Sequence, residues 1–140
     1  MRNQRYQNYF DEEVLAASPL KLIVLLYRGA LDSIALARRY VKLGDIRARS
    51  RAISKAMRIM TELSQALNRA DGGEVSRNLA EIYSYVATLL IRANTEQSDN
   101  PLAEAERLLG SLAEAWEKQA EDGPTAEVRS DAYEPVSCAC

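Results

Sequence analysis

A chain of 140 residues with six glycines and four prolines suits one helical domain, whose core can bury roughly two-thirds of the unfolded chain's surface. Histidine is absent, which excludes Ser-His and Cys-His nucleophiles, a histidine general base and histidine-dependent metal sites. The net charge of −2 conceals a split: residues 18–70 carry 11 Lys+Arg against 3 Asp+Glu, and residues 71–140 carry 5 against 14.

Residues 1–17 read as an aromatic N-terminal arm or cap bearing Tyr6, Tyr9 and Phe10. The segment holds no apolar run, so a signal peptide is not expected. Ser18-Pro19 then opens a first helix, with Ser as N-cap and Pro at the first helical position, running to about Leu43. The longest apolar run, Leu22–Tyr27, is too short to span a bilayer, and no stable membrane insertion is expected. Gly44-Asp45 closes this helix and caps the next.

The second helix is predicted over Ile46 to about Arg69, with Ile46, Ile53, Met60 and Leu67 repeating every seven residues and Ala56 and Leu63 on the partner seam. Asp71-Gly72-Gly73 is a break. In the third helix, Val75, Leu79, Ile82, Val86, Leu89 and Ala93 follow the alternating four-three spacing of a bundle seam. Ser98-Asp99-Asn100-Pro101 precedes a fourth helix carrying Leu102, Ala105, Leu109, Leu112 and Trp116. After Ala120 the periodicity stops, and residues 122–140 read as a disordered acidic tail. The expected fold is therefore all-α: an antiparallel up-down-up-down four-helix bundle over residues 18–121, with a capping arm before it and a tail after it.

The first helix carries more apolar residues than one seam requires. Lys21, Arg28, Asp32 and Arg39 fall within about 20° of one line and mark its solvent face. Ile23, Leu26, Ala30, Ile34, Ala37 and Val41 lie opposite, as the expected core. Leu22, Leu25, Gly29, Leu36, Tyr40 and Leu43 are left over as a second stripe. Tyr83, Ala87, Leu90 and Ile91 form a similar surplus on the third helix. Such surpluses mark a groove for a partner helix or a face for a second copy, and the mid-helix Gly29 would let a partner approach closely. The competing explanation is that neighbouring helices of the same bundle cover them. The arm's aromatic residues would either dock over the surplus surface until a partner arrives or belong to a short capping helix with no switching role.

Other candidate chemistry is thin. Glu104, Glu106, Glu114, Glu117 and Glu121 on the fourth helix read as a solvated face. Cys138 and Cys140, the only cysteines, lack the further ligands of a tetrahedral metal site and cannot staple the core. They suit a cytoplasmic protein. No phosphate-binding glycine pattern occurs, so neither an enzyme nor a cofactor is expected. Met57 and Met60 are adaptable core fillers first and partner-surface residues second. Arg47, Arg49, Arg51, Lys55 and Arg58 make the second helix basic. That leaves a nucleic-acid-binding bundle as an alternative, although no Gly-rich or aromatic RNA-binding signature accompanies them. Pairing of the basic half with the acidic half explains the same charges without nucleic acid.

A family resemblance follows from particular residues. Tyr9 in the arm, then Ala17-Ser18-Pro19, Leu26-Tyr27 and Gly29, then Gly44-Asp45, Lys55-Ala56, Ile59, Glu62-Leu63 and Leu67-Asn68 occur in one order. Leu79, Tyr83, Tyr85, Ala93-Asn94, Leu108-Leu109 and Trp116 continue it. Over about residues 6–118 the chain resembles the flagellar secretion chaperone FliS family. The resemblance implies a cytoplasmic four-helix bundle with an N-terminal cap. Such proteins bind the C-terminal segment of flagellin, prevent its early polymerisation and help deliver it to the flagellar type III export apparatus. The flagellar export gate is then a further candidate partner, and a homodimer is the alternative use of the surplus stripes. The tail from Glu121 lies outside the family pattern.

Overall fold

A computed structural model describes residues 19–70 and 73–121; the arm, the Ser18 cap, Asp71 and Gly72 of the predicted break, and the tail lie outside the described residues. Four helices follow in order: α1 Pro19–Leu43, α2 Ile46–Ala70, α3 Glu74–Glu96 and α4 Asn100–Glu121. Each packs against two neighbours, α1 and α3 both lying between α2 and α4. Cross-helix contacts fix the directions. Arg38, late in α1, meets Asp99 and Glu106 near the start of α4, while Arg28, early in α1, meets Glu117 near the end of α4. Arg49, early in α2, bonds Asn94, late in α3. Neighbouring helices are therefore antiparallel, and the result is the up-down-up-down bundle that short loops impose.

Local chemistry sets the turns. Gly44 has φ 72°, a conformation that costs other residues a Cβ clash. Asp45 then caps α2, its Oδ1 accepting the Ala48 backbone N–H at 3.1 Å. α3 ends less comfortably. Gln97 takes the left-handed position at φ 53°, and the backbone N–H of Ser98 reaches back to the Ala93 carbonyl at 3.2 Å.

The seam pattern is right in its middle and wrong at its ends. Ile53, Ala56, Met60 and Leu63 of α2, Leu79, Val86, Leu89 and Ala93 of α3, and Leu102, Ala105 and Leu109 of α4 are buried. Ile46 and Val75, counted as seam residues, are exposed: each occupies the first turn of its helix, where no neighbouring helix is obliged to cover it. On α1 the centre of the core is rotated. Tyr27, Ala30, Ile34 and Ala37 are fully buried, whereas Ile23, Leu26 and Val41 are partly buried at its margin.

Among the described residues Tyr27 is the largest fully buried side chain, and it ties three helices together. Its hydroxyl shares a 2.6 Å hydrogen bond with the Tyr83 hydroxyl across the bundle diagonal. It also accepts the Trp116 indole N–H at 3.2 Å. The Tyr27 and Tyr83 rings meet edge-on, with centroids 6.3 Å apart. Burial, reinforced for Tyr27 by the neighbouring Tyr83 hydroxyl, pushes both phenols above their ordinary range.

Candidate helix-binding surface

The residues singled out on the two surplus stripes separate into three groups. Leu25 of α1 (6% exposed), Tyr83 and Leu90 are buried and belong to the core. Their apparent surplus is covered by the protein's own helices, because each bundle helix faces two neighbours and so needs a wider apolar arc than one seam. Leu22, Gly29, Tyr40 and Ala87 are half-buried. Leu36, Leu43 and Ile91 remain in solvent, at 42%, 70% and 56% exposure. Tyr6, Tyr9 and Phe10 lie outside the described residues.

The role expected of Gly29 also changes. A Cβ placed there would come within 3.1 Å of Ile59 Cδ1. The close approach is made by α2 of the same bundle, not by a partner.

Two apolar features survive. On α1, Leu36, Tyr40 and Leu43 follow one another at i, i+4 and i+7 and so line one side of the helix. Exposed Ile46 follows just past the Gly44-Asp45 turn. The second feature is a shallow groove between α2 and α3, walled by Met57, Met60, Thr61 and Ser64 on one side and Tyr83, Ser84 and Ala87 on the other. Ile91 stands one turn beyond Ala87 on the same side of α3.

Thr61, Ser64 and Ser84 line the groove without standing out in the apolar pattern of the sequence. The available signal was their small size on helix faces otherwise filled by long side chains, which leaves a depression where α2 and α3 meet. Thr61 donates to the Met57 carbonyl at 3.2 Å, so its hydroxyl is satisfied locally and its methyl can face an apolar guest. The methionines add an adaptable wall. The groove therefore offers an apolar floor with a hydroxyl rim, suited to side chains on one face of a helix.

The charged surroundings are more ordered than a solvated face. Arg38 forms a fork on Asp99, Nε to Oδ1 at 2.8 Å and Nη2 to Oδ2 at 2.9 Å, and its Nη1 reaches Glu106 Oε1 at 2.5 Å. That hydrogen-bonded guanidinium holds the Asp99 carboxyl below its ordinary value. Glu117 pairs with Arg28, and Glu104 accepts the Tyr85 hydroxyl. Glu106 and Glu117 thus pair with arginines of α1, as expected if the basic and acidic halves complement each other, while the partner of Glu104 is a neutral hydroxyl on α3. Among the described residues, no group of three or more Cys, Asp or Glu is placed to hold a metal ion, and no helix is long and apolar enough to cross a membrane.

Comparisons with known proteins point to one family. The family model of the flagellar protein FliS matches residues 1–123. The chain is 37% identical over 109 residues to the flagellar secretion chaperone FliS of Salmonella typhimurium, an alignment spanning 77% of this chain and 81% of that protein. It is 33% identical over 114 residues to the flagellar secretion chaperone FliSB of Pseudomonas aeruginosa, spanning 81% and 90%. It is 31% identical over 113 residues to the flagellar secretion chaperone FliS of Bacillus subtilis, spanning 81% and 84%.

Proposed function

The chain belongs to the FliS family of flagellar secretion chaperones, and from that premise we propose that it holds the C-terminal helical segment of flagellin in the cytoplasm. Held there, the segment cannot polymerise early, and the complex is handed to the flagellar type III export apparatus, with the export gate as second partner. As a chaperone of this family the protein is not an enzyme; its work is binding.

The observation that carries the reading is the apolar surface left in solvent on α1 and beside the α2–α3 groove: Leu36, Leu43 and Ile91. An amphipathic guest helix presents apolar anchors at i, i+3, i+4 and i+7. Each of these three residues is already partly covered, so completing its burial contributes roughly 1–2 kcal/mol, and several together offset the ordering of a guest that folds on binding. The aromatic arm supplies Tyr6, Tyr9 and Phe10 as an internal cover for the same surface until flagellin displaces it.

Calorimetric titration with a peptide of flagellin's C-terminal segment tests this. Leu36→Glu and Ala87→Glu are expected to weaken binding at least tenfold, about 1.4 kcal/mol, with helix content unchanged by circular dichroism. Wild-type affinity in both variants removes the surface assignment. Leu25→Glu serves as the contrast, since a charge at that buried position unfolds the protein rather than blocking a guest.

A further inference from the structure

The basic charge of α2 is only partly accounted for by the fold. The helix carries six Lys+Arg and one acidic residue, Glu62. Arg49 is turned inward, 5% exposed, and donates to the Asn94 side-chain and backbone oxygens, each at 3.3 Å. Arg47, Arg51, Lys55 and Arg58 are all exposed. Their spacing of four, four and three places them on one stripe. The ion pairs of Arg28, Arg38 and Arg92 do not reach these four. Four like charges in a row repel one another and favour an acidic counterpart.

We propose that the acidic segment at residues 122–140 lies along this stripe and covers it within the same chain. Its charge fits: Asp122, Glu127, Asp131 and Glu134 stand against the single Arg129. Its origin fits as well. α4 ends at Glu121, and Glu117 contacts Arg28 near the start of α1, so α4 ends at the end of the bundle where the antiparallel α2 also ends. Arg58 and Lys55 lie about 18–22 Å up α2 from that end. Because α1 and α3 separate α4 from α2, the segment must cross about 20 Å, two helix spacings, as well as climb. An extended chain places Glu127 about 20 Å, Asp131 about 33 Å and Glu134 about 43 Å from Glu121, so Asp131 and Glu134 reach the stripe and Glu127 lies on the approach to it. Tethering sets an effective concentration in the millimolar range, which favours this occupant over a second copy or a nucleic acid competing from solution. The contact is independent of the flagellin reading, since it uses neither Leu36 nor the α2–α3 groove.

The two cysteines allow a direct test in the full chain. With Cys140→Ser, a paramagnetic label on Cys138 reports which amides the segment approaches. At about 0.01 M salt, α2 amides from Arg51 to Arg58 are expected to lose most of their intensity, and to regain it at about 1 M, where screening falls to a few ångströms. They are also expected to regain it at low salt in Glu127→Gln/Asp131→Asn/Glu134→Gln, whose changes lie away from the core. Unaffected α2 amides at low salt overturn the proposal, whether or not those amides then shift on adding a DNA oligonucleotide. Intensity loss that survives neutralisation overturns it too. So does loss in a mixture where the label and the isotope sit on different molecules, which assigns the stripe to a second copy.

Discussion

Tyr27 shows how much one polar atom in the core can decide. Its hydroxyl is the meeting point of three helices, sharing one hydrogen bond with Tyr83 and accepting another from Trp116. Tyr27→Phe keeps the ring and removes the oxygen, leaving the buried Tyr83 hydroxyl without that partner. A buried polar group so orphaned costs about 1–3 kcal/mol, and urea unfolding followed by circular dichroism is expected to show a loss of that size. Tyr83→Phe alone is expected to cost less, because Tyr27 keeps the indole as donor. The double variant is expected to cost less than the two singles together. Strict additivity in that cycle would mean the hydroxyl pair contributes nothing.

At the scale of the elements, sequence reasoning succeeds where the signal is local. Pro19, the Gly44-Asp45 pair, the Asp71-Gly72-Gly73 break, the Ser98-to-Pro101 cluster and the loss of periodicity after Ala120 bracket all four helices to within a residue or two, because breakers and caps act on their own backbone. It fails where the answer depends on what lies opposite. An angular count on α1 finds two adjacent apolar stripes but cannot rank them, so it leaves Tyr27 away from the centre and Leu25 outside the core. Ile46 and Val75 fit the period yet overhang the ends of their helices. The α2–α3 groove is legible only once Thr61 and Ser64 are seen beside Ser84 and Ala87. Gly29 is the same lesson with a measurable outcome. Its flexibility in mid-helix costs about 1 kcal/mol relative to alanine, and the methyl of an alanine would meet Ile59 Cδ1 at 3.1 Å. That neighbour is the far end of a half-buried side chain, free to shift by a few tenths of an ångström. Gly29→Ala is therefore expected to raise stability by up to about 1 kcal/mol, read as a higher urea midpoint. A lower midpoint would mean that α1 and α2 are packed too tightly there for Ile59 to yield.

For the molecule as a whole, the division of charge along the chain becomes a division in space: basic α1 is clamped to acidic α4 at both ends, and α2 is left with its own excess. The Arg38–Asp99–Glu106 cluster is the best ordered of these clamps, and its contribution depends on pH in a way that can be worked out. Its hydrogen bonds to Arg38 lower the Asp99 pKa in the folded state, so the unfolded chain takes up the proton first as the solution is acidified. Stability from this pair is therefore complete above the ordinary aspartate value of about 3.9 and is lost as the pH falls through the lower, folded-state value. The pair is about one-third exposed, so screening limits it to about 0.5–1 kcal/mol despite the fork geometry. Asp99→Asn keeps one acceptor for the guanidinium but no charge to titrate. At neutral pH and low salt the variant is expected to unfold at a lower urea concentration than the wild type. The gap is expected to narrow below about pH 4 and to shrink in about 1 M salt. A gap that stays constant across this range would assign the loss to hydrogen-bond geometry rather than charge, and Arg38 would then act as a mechanical latch between α1 and α4.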